Sequence, residues 1–218
     1  MFVPAGLHSA TEERRHLDRL ARAGADLFEV GLAHRTPVLD GPVIQSAYRC
    51  TLQRGKVLDR TLRATEHAAF LRPTVVMTYW EPVSRHGSER LARLFAVAGA
   101  AGVMVVDLPA PMAARWHGAA RAAGLRTPRL VPRHVLGADF PSATAEASGW
   151  LYAPASAAPT GYQGARSTSR PSPTSPGAFA QRARCPQSRE WGSLPRPSQR
   201  ASPRWWTRSS SAPRSSAP

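Results

Sequence analysis

Between Phe2 and Ala153 short apolar runs alternate with helical stretches, and this alternation restricts the chain more than any other feature. The runs are Phe2 to Ala5, Leu27 to Gly31, Val75 to Met77, Val103 to Val106, Arg129 to Val131 and Trp150 to Ala153. Short apolar strands separated by helices indicate a parallel sheet covered on both faces. The helices carry their own signals. Ser9 and Glu12 form a capping-box pattern, Leu17, Leu20 and Ala21 recur at helical spacing, and Gly24 closes that helix. Gly87 to Ala100 reads as helix with Leu91, Leu94 and Phe95 on one face, Pro111 to Ala123 as helix stopped by Gly124, and Ala138 to Ala147 as a weaker one. A doubly wound sheet and a closed barrel both satisfy this pattern. The absence of a GxGxxG after the first strand weighs against a dinucleotide-binding sheet.

Within this frame one segment, ADLFEVGLAHRTPVLDGP from Ala25 to Pro42, sets the carboxylates of Glu29 and Asp40 eleven positions apart. Glu29 lies on the second strand, and Asp40 ends the loop that follows, with a new helix expected from Val43. Side chains so placed can face one pocket from two sides, a layout for proton transfer. Each also has a plainer reading. Asp40 before Gly-Pro suits a turn or a helix N-cap. Glu29, among Leu27, Phe28 and Val30, is either on a solvated strand face or buried with a raised pKa and a task.

The segment resembles the second strand and loop of the tryptophan synthase alpha chain family, whose pattern is roughly ADLxELGxPFSDPxxDGPxIQ. ADLFEVG, Pro37, Asp40, Gly41, Pro42, Ile44 and Gln45 match it. The resemblance continues through Met77-Thr78-Tyr79 with Pro82-Val83, Val106-Asp107-Leu108-Pro109, and Tyr152 with Thr160-Gly161. It implies a (β/α)8 TIM-type barrel, with these groups at the carboxyl ends of strands where barrel enzymes place their sites. The implied reaction is the retro-aldol cleavage of indole-3-glycerol phosphate to indole and glyceraldehyde 3-phosphate, a lyase step of tryptophan biosynthesis. Glu29 and Asp40 are the implied catalytic residues. Tyr79, Met104, Leu130 and Tyr152 are expected to line the apolar pocket, and Thr160 and Gly161 to contact substrate, Gly161 at the phosphate. No cofactor is implied for this chain, since pyridoxal phosphate would belong to the beta chain partner. Two departures stand out: Ala33, His34, Arg35 and Thr36 replace Pro-Phe-Ser-Asp in the loop that touches the beta chain in the family, and Glu81 replaces the usual Asn. Tyr79 and Tyr152 also suit core aromatics, and Asp107 suits a turn.

Beyond Gly164 the resemblance stops, and here composition decides the reading. Residues 165–218 contain no Val, Ile, Met, Tyr or Asp, and carry ten arginines against the single acid Glu190. Such a segment offers no buried strand and reads as a disordered tail. The expected organisation is therefore a partial barrel over residues 1–164, truncated after its sixth strand, and an Arg/Ser/Pro-rich tail over residues 165–218. A G+C-rich coding sequence read out of frame from about codon 165 gives this composition. A selected nucleic-acid tail, with Trp191, Trp205 and Trp206 to stack on bases, is the competing idea. The formal net charge of +15 lies largely in the tail, so non-specific polyanion binding is expected of it. Two alternatives thus accompany the lyase: an inactive truncated or frameshifted copy, and a basic-tailed nucleic-acid-binding protein. Cys50 and Cys185 suggest neither a disulfide framework nor a metal site. No signal peptide and no membrane span are read, so a cytoplasmic setting is the default.

Overall fold

The computed structural model describes residues 1–131 and 147–152. The expected helix from Ala138, the residue Ala153, the site candidates Thr160 and Gly161, and the whole of the tail from Ala165 lie outside the described residues.

The described chain runs β1 (Phe2–Pro4), α1 (Ala10–Arg22), β2 (Phe28–Gly31), α2 (Pro42–Arg54), α3 (Val57–Leu71), β3 (Thr74–Thr78), α4 (Trp80–His86), α5 (Ser88–Val97), β4 (Gly102–Val105), α6 (Ala110–Ala122), β5 (Arg129–Leu130) and β6 (Leu151–Tyr152). The first four strands form one parallel sheet in the order β1-β2-β3-β4. β5 and β6 pair in parallel with each other. A parallel bridge between Gly102 and Arg126 links β4 to the segment entering β5, through Val103 N–H to Arg126 O at 2.9 Å and Arg126 N–H to Ala101 O at 3.0 Å. Strands that are neighbours in sequence are thus neighbours in space, the succession a (β/α) barrel requires.

Local chemistry explains where the elements start and stop. The Ser9 hydroxyl accepts from Glu12 N–H while the Glu12 carboxylate accepts from Ser9 N–H, completing the capping box of α1. Gly24, at φ +95°, turns the chain out of that helix at no steric cost. α2 begins at Pro42, one residue earlier than expected from the sequence, because proline suits the first helical turn and lacks only a donor that would be unpaired there. One element was not anticipated. The residues after Tyr79 form α4, with Pro82 in its first turn, and α5 begins only after Gly87 at φ +82° breaks the run.

Burial separates the two faces of the sheet. β3 is buried at all five positions, as a central parallel strand should be. On the helix side Val76, Val103 and Val105 pack with Val83, Leu91, Phe95 and Trp116. Phe28 and Val30 pack with Leu17, Ala21, Ala64 and Ala68 under α1 and α3. Each such fully buried Val, Leu or Phe contributes about 1.5–3 kcal/mol. On the opposite face Val75, Met77, Tyr79 and Met104 cluster with Phe2, Val106 and Trp150. Register places Phe2 beside Glu29, Glu29 beside Val75, and, two residues further along, Gly31 beside Met77 and Met77 beside Met104. Glu29 therefore stands on this second face. Among the described residues no helix is long and apolar enough to cross a membrane.

Candidate active site

The second face holds a cavity of about 90 Å³. Its floor comes from alternate strand positions: Phe2 on β1, Glu29 on β2, Met77 and Tyr79 on and after β3, Met104 and Val106 on and after β4. Leu130 and Tyr152 form the far wall, while Leu39, Asp40 and Ile44 close it from the loop and helix that follow β2. Period-two geometry is the reason these residues meet, since only every second strand residue faces inward. Both carboxylates and all four expected apolar wall residues, Tyr79, Met104, Leu130 and Tyr152, share this one cavity. Phe2, Leu39, Ile44, Met77 and Val106 join them unannounced by the sequence reading, although Phe2 and Met77 occupy the inward register that Glu29 and Met104 already mark.

Asp40 is not a helix cap. Gly41 occupies the N-cap of α2, and the Asp40 side chain is buried, its Oδ2 accepting from the Tyr79 hydroxyl at 2.8 Å. The same hydroxyl oxygen accepts from Leu39 N–H at 3.2 Å, so the phenol's donor is committed to the carboxylate. Gln45 donates to the Asp40 carbonyl at 2.8 Å and fixes the loop end to α2. The Tyr79 hydroxyl is thereby more than a satisfied core group. Asp107 does serve its turn, accepting from Trp80 N–H at 2.6 Å to tie the end of β4 to the start of α4.

Burial pushes the Glu29 carboxyl above its ordinary value, the negative charge of Asp40 pushes it further, and the chain's amino terminus opposes both. Burial also raises Asp40, but there the Tyr79 hydrogen bond works the other way and favours the carboxylate. Tyr79 is held as the neutral phenol by its own burial and by Asp40, which raise its pKa well above the ordinary phenol range. Burial thus raises both acids, and only Asp40 has a side-chain hydrogen bond that favours its anion; like groups in such unequal surroundings can divide acid and base work. Tyr48 joins this electrostatic group from α2. Its hydroxyl is fully buried with no hydrogen-bond partner among the described residues, and burial followed by the charge of Asp40 raises its pKa. No sequence signal marked it, because a tyrosine on a helix face reads as ordinary packing.

A second cavity, about 170 Å³, is larger but does not contain the carboxylate pair. It lies between the loop after β2 and α4, lined by His34, Arg35, Glu81, Arg85 and His86 and by apolar residues of α2 and α3. The narrower cavity is the one on which the two carboxylates converge. Among the described residues no group of three or more His, Cys, Asp or Glu side chains is placed to hold a metal ion.

These features define a class: a parallel β/α barrel protein that gathers two carboxylates, one on β2 and one on the loop after it, at an apolar pocket. The family model described as tryptophan synthase alpha chain matches residues 1–172. The curated tryptophan synthase alpha chain of Streptomyces coelicolor is 41% identical over 155 residues, covering 70% of this chain and 57% of that one. That of Streptomyces avermitilis is 40% identical, with 70% and 56% covered. A solved Mycobacterium tuberculosis tryptophan synthase structure superposes with a TM-score of 0.66 at 31% identity, over 70% of this chain and 60% of that chain. A mutant tryptophan synthase alpha-subunit from Pyrococcus furiosus gives 0.64 at 26% identity. The chain belongs to the tryptophan synthase alpha chain family, and it spans 57% and 56% of the length of the two Streptomyces relatives.

Proposed function

We propose that this site performs the carbon–carbon lyase step of its family, cleaving indole-3-glycerol phosphate to indole and glyceraldehyde 3-phosphate. The observation that carries the reading is the sharing of one apolar cavity by Glu29 and Asp40, with Tyr79 bonded to only one of them.

In this reading the indole ring lies against Met104, Leu130 and Tyr152. Asp40, its anion supported by the Tyr79 hydroxyl, accepts the indole N–H and stabilises the positive charge that spreads onto the ring when C3 is protonated. Glu29 enters protonated, which its raised pKa favours, and delivers that proton to C3. The resulting carboxylate then takes the proton of the glycerol hydroxyl next to the scissile bond. As the carbonyl of glyceraldehyde 3-phosphate forms, the bond to C3 breaks, its electron pair returns to the ring, and indole leaves. Glu29 ends protonated, as it began. General acid–base transfers of this kind are each worth roughly 10²- to 10⁴-fold. Thr160 and Gly161 are proposed as further substrate contacts, Gly161 at the phosphate. No step in this scheme calls on a cofactor, and pyridoxal phosphate would belong to a beta chain. Such a partner would dock at the loop Ala33–Thr36, whose changed residues predict weaker docking.

The test is indole release from indole-3-glycerol phosphate, followed spectroscopically, together with calorimetric binding of indole. Glu29→Gln and Asp40→Asn should each lower turnover by two or more orders of magnitude, and Asp40→Asn should also weaken indole binding. Full turnover in either variant removes the assignment. Indole binding without turnover in the unmodified chain would instead identify an inactive copy.

A further inference from the structure

The hydrogen bond that distinguishes Asp40 from Glu29 is only as well placed as the ring that makes it. Tyr79 follows β3 at the N-cap of α4, and its ring is stacked on the imidazole of His34 with centroids 4.9 Å apart and planes 15° apart. His34 lies on the loop after β2, its side chain only 7% exposed. Thr36 N–H donates to its Nδ1 at 3.3 Å, so Nδ1 presents a lone pair and the ring hydrogen resides on Nε2. Nε2 faces Glu81 Oε2 at 3.5 Å, and Glu81 pairs with Arg85 one helical turn on. A continuous set of contacts therefore runs inward from the exposed face of α4: Arg85, Glu81, His34, Tyr79, Asp40. The two positions at which this chain departs from its family's pattern in this region, the loop containing His34 and the residue Glu81, are adjacent members of that set.

We propose that His34, clamped between Glu81 and the Tyr79 ring, is a positioning residue that fixes the Tyr79 hydroxyl on Asp40. This rests on the lyase reading for its consequence but not for its test. A stacked neighbour restrains the ring plane, and the Glu81 contact restrains the stack. Without them the phenol can rotate away from a carboxylate that it must meet at 2.8 Å. A histidine that merely filled space would be replaceable by any ring of the same size.

The charged and titratable groups around this set are Glu81, Arg85 and His86 from α4, Arg35 on the His34 loop, Asp107 after β4, whose charge acts on Tyr79, and Glu29, Tyr48 and Tyr79 around Asp40. The direct readout is the titration of the Asp40 carboxyl, followed by carbon-13 NMR in the full-length chain, with Asp40→Asn to assign the signal. Because the Tyr79 bond favours the carboxylate, His34→Ala should move the Asp40 midpoint to higher pH. His34→Phe, which keeps the stack and loses both ring nitrogens, should move it less, and Glu81→Gln, at a partly exposed site that leaves the core intact, should move it in the same direction. In turnover, His34→Ala should reduce kcat about 10- to 100-fold, as expected for losing a hydrogen bond to a charged group, and shift the acid limb of the pH profile upward. Unchanged Asp40 midpoints in both His34→Phe and Glu81→Gln overturn the proposal, whether or not His34→Ala folds. Movement of the midpoint in a chain that releases no indole keeps the positioning role and rejects the lyase reading.

Discussion

Gly31 gives the sharpest test of how the strand that carries Glu29 is packed. A Cβ built on it would lie 2.5 Å from the Tyr48 hydroxyl and 2.8 and 2.9 Å from Cζ and Cε2 of Phe2. Ordinary carbon contacts begin near about 3.5 Å, so Gly31→Ala must displace a buried phenol, the ring paired with Glu29, or both. Overpacking of this kind costs about 1–3 kcal/mol. With a urea dependence of about 1–3 kcal/mol per molar, the unfolding midpoint should fall by roughly 1 M. Tyr48→Phe separates the two collisions. Alone it removes a buried hydroxyl lacking a partner among the described residues, so it should be neutral or stabilising. Combined with Gly31→Ala it relieves the closest contact and leaves those to Phe2, so the alanine should cost about 0.5 kcal/mol or more less in that background. Urea unfolding of the four proteins, monitored by tryptophan fluorescence, closes the cycle. Equal cost of Gly31→Ala with and without the Tyr48 hydroxyl would refute this account of the strand.

Glu29→Gln should stabilise the fold near neutral pH, because burial raises the carboxyl's pKa and the folded state therefore disfavours the anion that the glutamine removes. The sign follows from the raised folded pKa: this carboxyl's contribution is fully present below its unfolded value of 4.5 and is lost as pH rises through the folded value. The advantage of the glutamine should therefore vanish below that pH, as urea midpoints across pH 4 to 8 will show. Gly102→Ala should disrupt the bridge into β5, since its Cβ would lie 2.6 Å from the Arg126 carbonyl oxygen, which is backbone and cannot swing aside. Near-ultraviolet circular dichroism and indole binding should both decline, and an unaltered variant would exclude that contact as a constraint.

The fold was readable because parallel strands announce themselves as apolar runs, and each observed strand begins or ends within a residue or two of its run. α4 was not readable, since a helix of seven residues with a proline in its first turn is too short to show a period of its own. The carboxylate pair and the four wall residues were named from the family pattern alone, and inward register is the physical reason that they line one cavity. Asp40 as a possible cap was not resolved by sequence, because Asp before Gly-Pro serves a cap as readily as a pocket and only the Tyr79 contact decides. His34 and Glu81 stand 47 positions apart, and nothing local in either segment marks the contact. Tyr48 was equally silent, since its importance lies in the missing Cβ of Gly31.

The bridge at Gly102 has a consequence for how the cavity fluctuates. Phe2, Glu29, Asp40 and Tyr79 belong to the four-stranded sheet and its adjoining loop, and should open only when that sheet opens. Leu130 and Tyr152 belong to a two-stranded piece held to it, at the level of backbone pairing, through the amides of Val103 and Arg126. The cavity thus has two tiers of local stability, a carboxylate tier tied to the core and an apolar wall on a weaker latch. Amide exchange at Arg126 should run faster than at Val76 in the empty protein. A ligand that touches both tiers should slow it, since the free energy of binding then opposes the opening of the latch.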